Sequence, residues 1–109
     1  MLPKLPFKYI DVDDPGVSYG EFSLTREEVP LTPFKASLFT VGPGHRTPRD
    51  QHAVRECWLV VDGKGVLVYD GEELEIEKGN LLYFESEKPH FVQNRAEQDL
   101  IIFATWWSV

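Results

Sequence analysis

The chain has 109 residues, enough for one hydrophobic core, and its composition, 42% hydrophobic and 13% aromatic, is that of a folded globular protein rather than a disordered one. Eleven Lys and Arg stand against 18 Asp and Glu, for a net charge of −7. That balance argues against nucleic acid or an anionic membrane as the main partner, because both need a basic face.

The N-terminal stretch MLPKLPFKYI carries two prolines and two lysines and no apolar run of the kind a signal peptide needs. Cys57 is the single cysteine, so no intramolecular disulfide can form. A cytoplasmic protein with no membrane partner is therefore expected. Residues 1–109 read as one all-β domain, with a first section over 1–34 and a core barrel over about 35–107.

Leu24 to Val29, LTREEV, has room for one helical turn before Pro30 and Pro33 close it. No other segment has a helical period. Lys35 to Val41, KASLFTV, reads as a strand ending at the breaker Gly42-Pro43-Gly44. Val54 to Val61, VRECWLVV, reads as a second strand, and the DGKG that follows is a hairpin signal leading into VLVYD. Asp70-Gly71 marks another tight turn, before EELEIE, in which polar and apolar residues alternate. NLLYFE, HFVQN and DLIIFATWW complete a series of short strands with turn chemistry between them, the pattern of an antiparallel sandwich or small barrel.

One run is unusual for a strand. In RDQHAVRECW, residues Asp50, His52 and Glu56 all fall on even positions, which share one face of an extended chain together with Trp58. A bulge between Asp50 and Glu56 would break that parity. If the face points inward, two carboxylates and an imidazole converge, and burying them requires a cation or water. A divalent ion is the simplest counter-charge, His90 at the start of HFVQN can add a second imidazole, and this ligand set suits Fe, Mn, Zn, Ni or Co. The same residues, taken singly, also fit a solvated surface.

The spacing resembles a known family. Gly44-x5-Asp50-x-His52-x3-Glu56-x6-Gly63 looks like the first motif of the cupins, with aspartate where the family has its first histidine. Gly79-x5-Glu85-x-Glu87-x2-His90-x3-Asn94 resembles the second, with Glu85 and Glu87 in place of a proline and a glycine. The resemblance implies an antiparallel jelly-roll β-barrel. It also implies a divalent metal, Fe or Mn foremost, at Asp50, His52, Glu56 and His90, with Glu56 as the residue that moves a proton. Such a site serves oxygenases, isomerases or lyases acting on a small polar metabolite; a non-catalytic binding or regulatory module with little or no metal is the alternative. A third reading is a metal-free sugar-modifying enzyme with His52 or His90 as base.

Trp58 and Phe84 are expected to line the substrate cavity, with Val92 and Asn94 nearby, though a Trp there also fits a core position and Asn94 a structural one. Arg46 is expected to reach a substrate carboxylate or phosphate, unless it belongs with Arg49 and Arg55 to ordinary surface charge. Cys57, on the opposite face from Glu56, reads as a core thiol. The apolar ending suggests an edge strand with Trp106 or Trp107 at a homodimer interface.

Overall fold

The structure is a computed structural model and describes residues 2–108; the expected domain ends, Met1 and Val109, lie outside them. Eleven strands follow one another with no helix among the described residues: β1 (Phe7–Ile10), β2 (Val17–Phe22), β3 (Thr25–Arg26), β4 (Val29–Pro30), β5 (Lys35–Val41), β6 (Arg55–Asp62), β7 (Lys64–Tyr69), β8 (Glu72–Glu77), β9 (Leu81–Phe84), β10 (His90–Gln93) and β11 (Leu100–Trp107). A six-stranded sheet runs β1-β2-β5-β11-β6-β9 and a three-stranded sheet β10-β7-β8, all pairings antiparallel. This is the expected all-β jelly-roll barrel. No helix among the described residues is long and apolar enough to cross a membrane.

Alternation within the strands builds the core. In β6 the side chains of Glu56, Trp58 and Val60 are buried, while Arg55, Leu59 and Val61 are exposed. In β11 Leu100, Ile102 and Ala104 point inward, and in β10 His90 and Val92 do. These residues meet Phe39, Val41, Leu67, Ile76 and Phe84 between the two sheets. Burial of apolar side chains of this size contributes about 1.5–3 kcal/mol each, so the shared core is the main source of stability.

Three local expectations are corrected. The DGKG segment closes no hairpin, because β6 pairs with β11 and β9 whereas β7 pairs with β10 and β8. A register shift opposite Ile101/Ile102 and the left-handed Gly63 (φ 83°) turn the chain out of one sheet and into the other. A Cβ at Gly63 would lie 2.4 Å from the Asp99 carbonyl oxygen, so the crossing needs glycine both for its φ and for its bareness. The hairpin instead forms one turn later, where Asp70 (φ 49°) and Gly71 (φ 84°) join β7 to β8 in the mirror-image turn that suits strand twist.

LTREEV makes no helical turn. Thr25 pairs with Pro30 and Arg26 with Val29 around Glu27 and Glu28, both at positive φ. Pro30 has no N–H to continue a helix, and the Leu31 N–H donates to the Leu24 carbonyl across the resulting small hairpin.

β11, finally, is not an edge strand. It lies between β5 and β6, paired along nearly its whole length on both sides, so its two tryptophans offer no free ladder for pairing.

Candidate metal centre and its cavity

The acid–imidazole run is held differently from a continuous strand. β6 begins only at Arg55, and residues 51–54 are irregular. Asp50 is tied to His90 through reciprocal backbone hydrogen bonds of 2.8 and 2.9 Å. The loop after β9 supports what lies between: the Glu87 N–H donates to the His52 carbonyl at 2.7 Å, the Ser86 hydroxyl to the Ala53 carbonyl at 2.6 Å, and the Gln51 amide to the Glu87 carbonyl at 2.9 Å. Backbone groups that a sheet would have paired are thereby satisfied locally. Asp50, His52 and Glu56 converge even though they do not share a strand.

Their geometry is compact. Ligand atoms of Asp50, His52 and His90 all lie within 4.8 Å of one another. Glu56 Oε1 stands 3.1 Å from His52 Nε2 and 3.5 Å from His90 Nε2, and Asp50 Oδ2 is 3.6 Å from His52 Nε2. Donor atoms bound at about 2.1 Å to one ion stand roughly 3.0–3.4 Å apart, so the cluster has the span of a ligand set.

The ring protons reinforce this. His90 Nδ1 is 2.9 Å from the Lys88 carbonyl oxygen and His52 Nδ1 is 3.1 Å from that of Val54. A carbonyl only accepts, so His90 donates from Nδ1 and, when neutral, turns the lone pair of Nε2 toward Glu56, whereas His52 has an acceptor 3.1 Å from each ring nitrogen, the Val54 carbonyl at Nδ1 and Glu56 Oε1 at Nε2. His90 Nε2 is buried without a hydrogen-bond partner, since at 3.5 Å the carboxylate is too distant to accept one. A nitrogen lone pair facing a buried carboxylate is repelled by it unless a proton or a cation stands between them. A divalent ion fits that need, and the neutral imidazoles and carboxylates fit the ion.

Without a metal, the same surroundings favour a proton on His90. Burial works against an imidazolium at His90, but the nearby Glu56 carboxylate, the Lys88 carbonyl and the Asp50 charge outweigh it and hold its pKa above the ordinary 6.5.

A cavity of about 550 Å³ opens in front of the cluster, lined by all four of these residues and by Tyr19, Ser37, Phe39, Arg49, Trp58 and Trp106 among others. Trp58 lines this cavity, and its buried indole Nε1 also lacks a partner. Phe84 does not reach it: it is core, packed at 4.6 Å ring to ring against both Trp58 and His90. Val92 is core as well.

Arg46 turns away, its guanidinium 4.3 Å over the Phe91 ring, and the arginine at the cavity is Arg49. Trp106 lines the cavity while Trp107 borders a separate surface depression with Phe34. Asn94 is a fully bonded structural residue: its amide donates to the carbonyls of Val41 (2.8 Å) and Gln98 (2.7 Å) and accepts from the Ala96 N–H (2.9 Å). Cys57 is half-buried on the outward side of β6, and burial, followed by the Glu56 charge, raises its pKa.

Sequence reasoning missed the far wall. Tyr19 and Ser37 lie on β2 and β5, outside both motifs, and only strand pairing brings them to the cavity. Burial, with the Glu21 charge next, raises the Tyr19 pKa, so its phenol stays a hydrogen-bond donor.

A family model for the cupin domain matches residues 37–106. Over 52 residues the chain is 29% identical to an uncharacterized protein, MJ1618, of Methanocaldococcus jannaschii, a stretch covering 47% of this chain and 42% of that protein, so the match spans less than half of the relative. A Cupin 2 conserved barrel domain protein from Salinispora arenicola superposes with a TM-score of 0.76 at 23% identity, covering 94% of this chain and 89% of that one. The polyketide cyclase RemF from Streptomyces resistomycificus gives 0.77 at 20% identity, covering 97% and 79%. The Cupin_2 domain of an XRE family transcriptional regulator from Enterobacter cloacae gives 0.73 at 16%, covering 86% and 98%. At these identities the likeness is one of fold.

Proposed function

The chain belongs to the cupin domain family, and from that footing we propose that it holds a divalent metal ion, Fe or Mn foremost, through Asp50, His52, Glu56 and His90, and acts as a metal-dependent enzyme of the oxygenase, isomerase or lyase type on a small polar metabolite. One observation carries the reading: the buried, partnerless Nε2 of His90, set with the Nε2 of His52 around one carboxylate oxygen. A bound ion would supply Lewis acidity and an open coordination position. The chain's own residues do the rest. The Lys88 and Val54 carbonyls orient the two rings, Glu56 is placed to hold or pass a proton, and aromatic side chains wall the space beside them.

The test is elemental analysis of the purified protein beside a His52→Ala, His90→Ala double variant. Near-stoichiometric metal in the wild type, lost in the variant, is expected. Wild-type protein that takes up no metal even on reconstitution sinks the proposal.

A second reading has its own support. The Asp50 side chain is 62% exposed and its Oδ1 already accepts the Gln51 N–H at 2.9 Å, which suits a weak ligand. A three-residue site of low affinity would fit a small-molecule binding or regulatory module, in keeping with the fold's presence in a transcriptional regulator. Ligand binding without turnover, unaffected by chelator, distinguishes this reading.

The same proposal includes a cytoplasmic homodimer of this domain, on ground other than the terminal tryptophans. Leu59 of β6 pairs with Leu81 of the edge strand β9, and with Val61 and Tyr83 they leave an exposed apolar patch on the outward face. Light scattering should give a dimer mass that Leu81→Asp converts to a monomer; a wild-type monomer counts against it.

A further inference from the structure

We propose that Arg49 reads the carboxylate of a small ligand with a planar apolar body, so that the cavity takes aromatic or similarly flat carboxylic acids in preference to their uncharged counterparts. The inference rests on the reading of the cavity as a substrate site and adds the class of molecule it takes.

The charge at the cavity sets the need. Among the described residues Asp14, Asp50 and Glu56 are its acids, and Arg49 is its one permanently cationic lining residue. With a divalent ion on two neutral imidazoles and the carboxylates of Asp50 and Glu56, the centre is close to neutral, and an anionic ligand finds its attraction in the guanidinium. Arg49 is free to provide it: among the described residues it has no ion pair and no side-chain hydrogen bond, whereas Arg46 is committed to Phe91 and Arg95 to Glu73 and Gln93.

Its position is fixed from both sides. Thr47 is bonded to β10 through its N–H to the Val92 carbonyl and its hydroxyl from the Val92 N–H, both at 3.0 Å. Asp50 is tied to His90 one residue later. Pro48 stiffens the intervening chain, so Arg49 stands on a short braced segment beside a proposed metal ligand. A guanidinium carried on a braced backbone can offer two parallel N–H donors to a carboxylate, a geometry an ammonium or amide cannot match.

The shape supplies the rest of the class. Phe39, Trp58, Trp106 and Tyr19 give the cavity aromatic walls, and its volume of about 550 Å³ suits a molecule of one or two rings rather than a polymer. Tyr19 and Ser37 add polar side chains to the same lining.

Titration calorimetry on full-length, Mn(II)-reconstituted protein tests this with benzoate and benzamide as probes, in wild type, Arg49→Gln and Arg46→Gln. Wild type should bind benzoate about tenfold or more tighter than benzamide, the ratio expected from losing one charge-assisted pair. Arg49→Gln should erase that ratio while leaving metal content and melting temperature unchanged, and Arg46→Gln should preserve it. Equal affinity for the two probes, a preference that survives Arg49→Gln, or no benzoate binding to wild type overturns the assignment. The metal reading fails separately, by the absence of Mn(II) in the same samples; repeating the titration on metal-free protein shows whether the carboxylate preference stands without it.

Discussion

Two buried polar side chains, His90 at the start of β10 and Asn94 just past its end, lie four residues apart, and they are treated in opposite ways. Asn94, 1% exposed, has both amide hydrogens and its oxygen bonded to backbone groups of Val41, Gln98 and Ala96. His90, 2% exposed, spends one nitrogen on the Lys88 carbonyl and leaves the other with no partner. A buried polar group with every valence satisfied stabilises the fold; one left open weakens it by about 1–3 kcal/mol unless something binds there. The core between them, Val60, Val92, Leu100 and Ile102, is wholly apolar. The barrel therefore has a structural end and a reactive end, and the difference between them is one of hydrogen-bond satisfaction.

Removing each residue should expose that contrast most strongly. Asn94→Ala leaves three backbone groups unpaired, one of them the carbonyl of the fully buried Val41, and should destabilise the fold by about 3–5 kcal/mol in denaturant unfolding, with metal content per folded molecule unchanged. His90→Ala should abolish stoichiometric metal while lowering the stability of the metal-free protein by clearly less, about 1–2 kcal/mol, because it removes an unsatisfied nitrogen along with its packing. Similar destabilisation from both variants, each with full metal, would erase the distinction.

Acid–base behaviour provides a finer test on metal-free protein. The His90 pKa is raised on folding: burial opposes the charged ring, but Glu56, the Lys88 carbonyl and Asp50 together prevail. A group whose folded pKa exceeds its unfolded value adds stability that is fully present below the unfolded pKa and is lost as pH rises through the folded one. Stability of the metal-free protein should accordingly fall as pH is raised from about 6.5 through the folded value, and His90→Gln should flatten that slope. Asn94 cannot titrate, so Asn94→Ala should keep the slope on a lower baseline. Because a metal displaces the proton, its affinity should rise over the same interval.

These two ends were unequally legible in the chain. The strands declare themselves wherever one face is buried: Lys35–Val41 matches β5 to the residue, and the parity of Glu56, Trp58 and Val60 holds throughout β6. Residues 50–54 kept the right side chains together for a different reason, namely tertiary bonds from Ser86 and Glu87, which no local periodicity encodes. DGKG misled because a left-handed glycine serves a sheet-to-sheet crossing as well as a hairpin, and the choice is made by the Asp99 backbone 36 positions away in sequence. The sequence singles out Arg46, but Phe91 holds its guanidinium and Arg49 lines the cavity instead. Tyr19 and Trp106 enter the cavity only through pairing of β2 and β11 with β5, a long-range fact outside any motif.

The smallest effect concerns the loop that serves the reactive end alone. Glu87 replaces the glycine of the second motif, yet its backbone keeps a φ of 66°, the left-handed region where a side chain costs about 1–2 kcal/mol. Its N–H and carbonyl both brace the 50–54 segment, through the His52 carbonyl and the Gln51 amide, so the conformation is held by contacts made to position His52. Glu87→Gly removes the strain while retaining both backbone bonds, and glycine's greater freedom in the unfolded chain returns part of the gain. A net stabilisation of about 0.5–1 kcal/mol is expected, read as a modest rise in melting temperature, with metal content unchanged. Loss of metal in Glu87→Gly would mean that the side chain, and not only the backbone it carries, helps to hold His52 at the centre, extending the reactive end of the barrel into this loop.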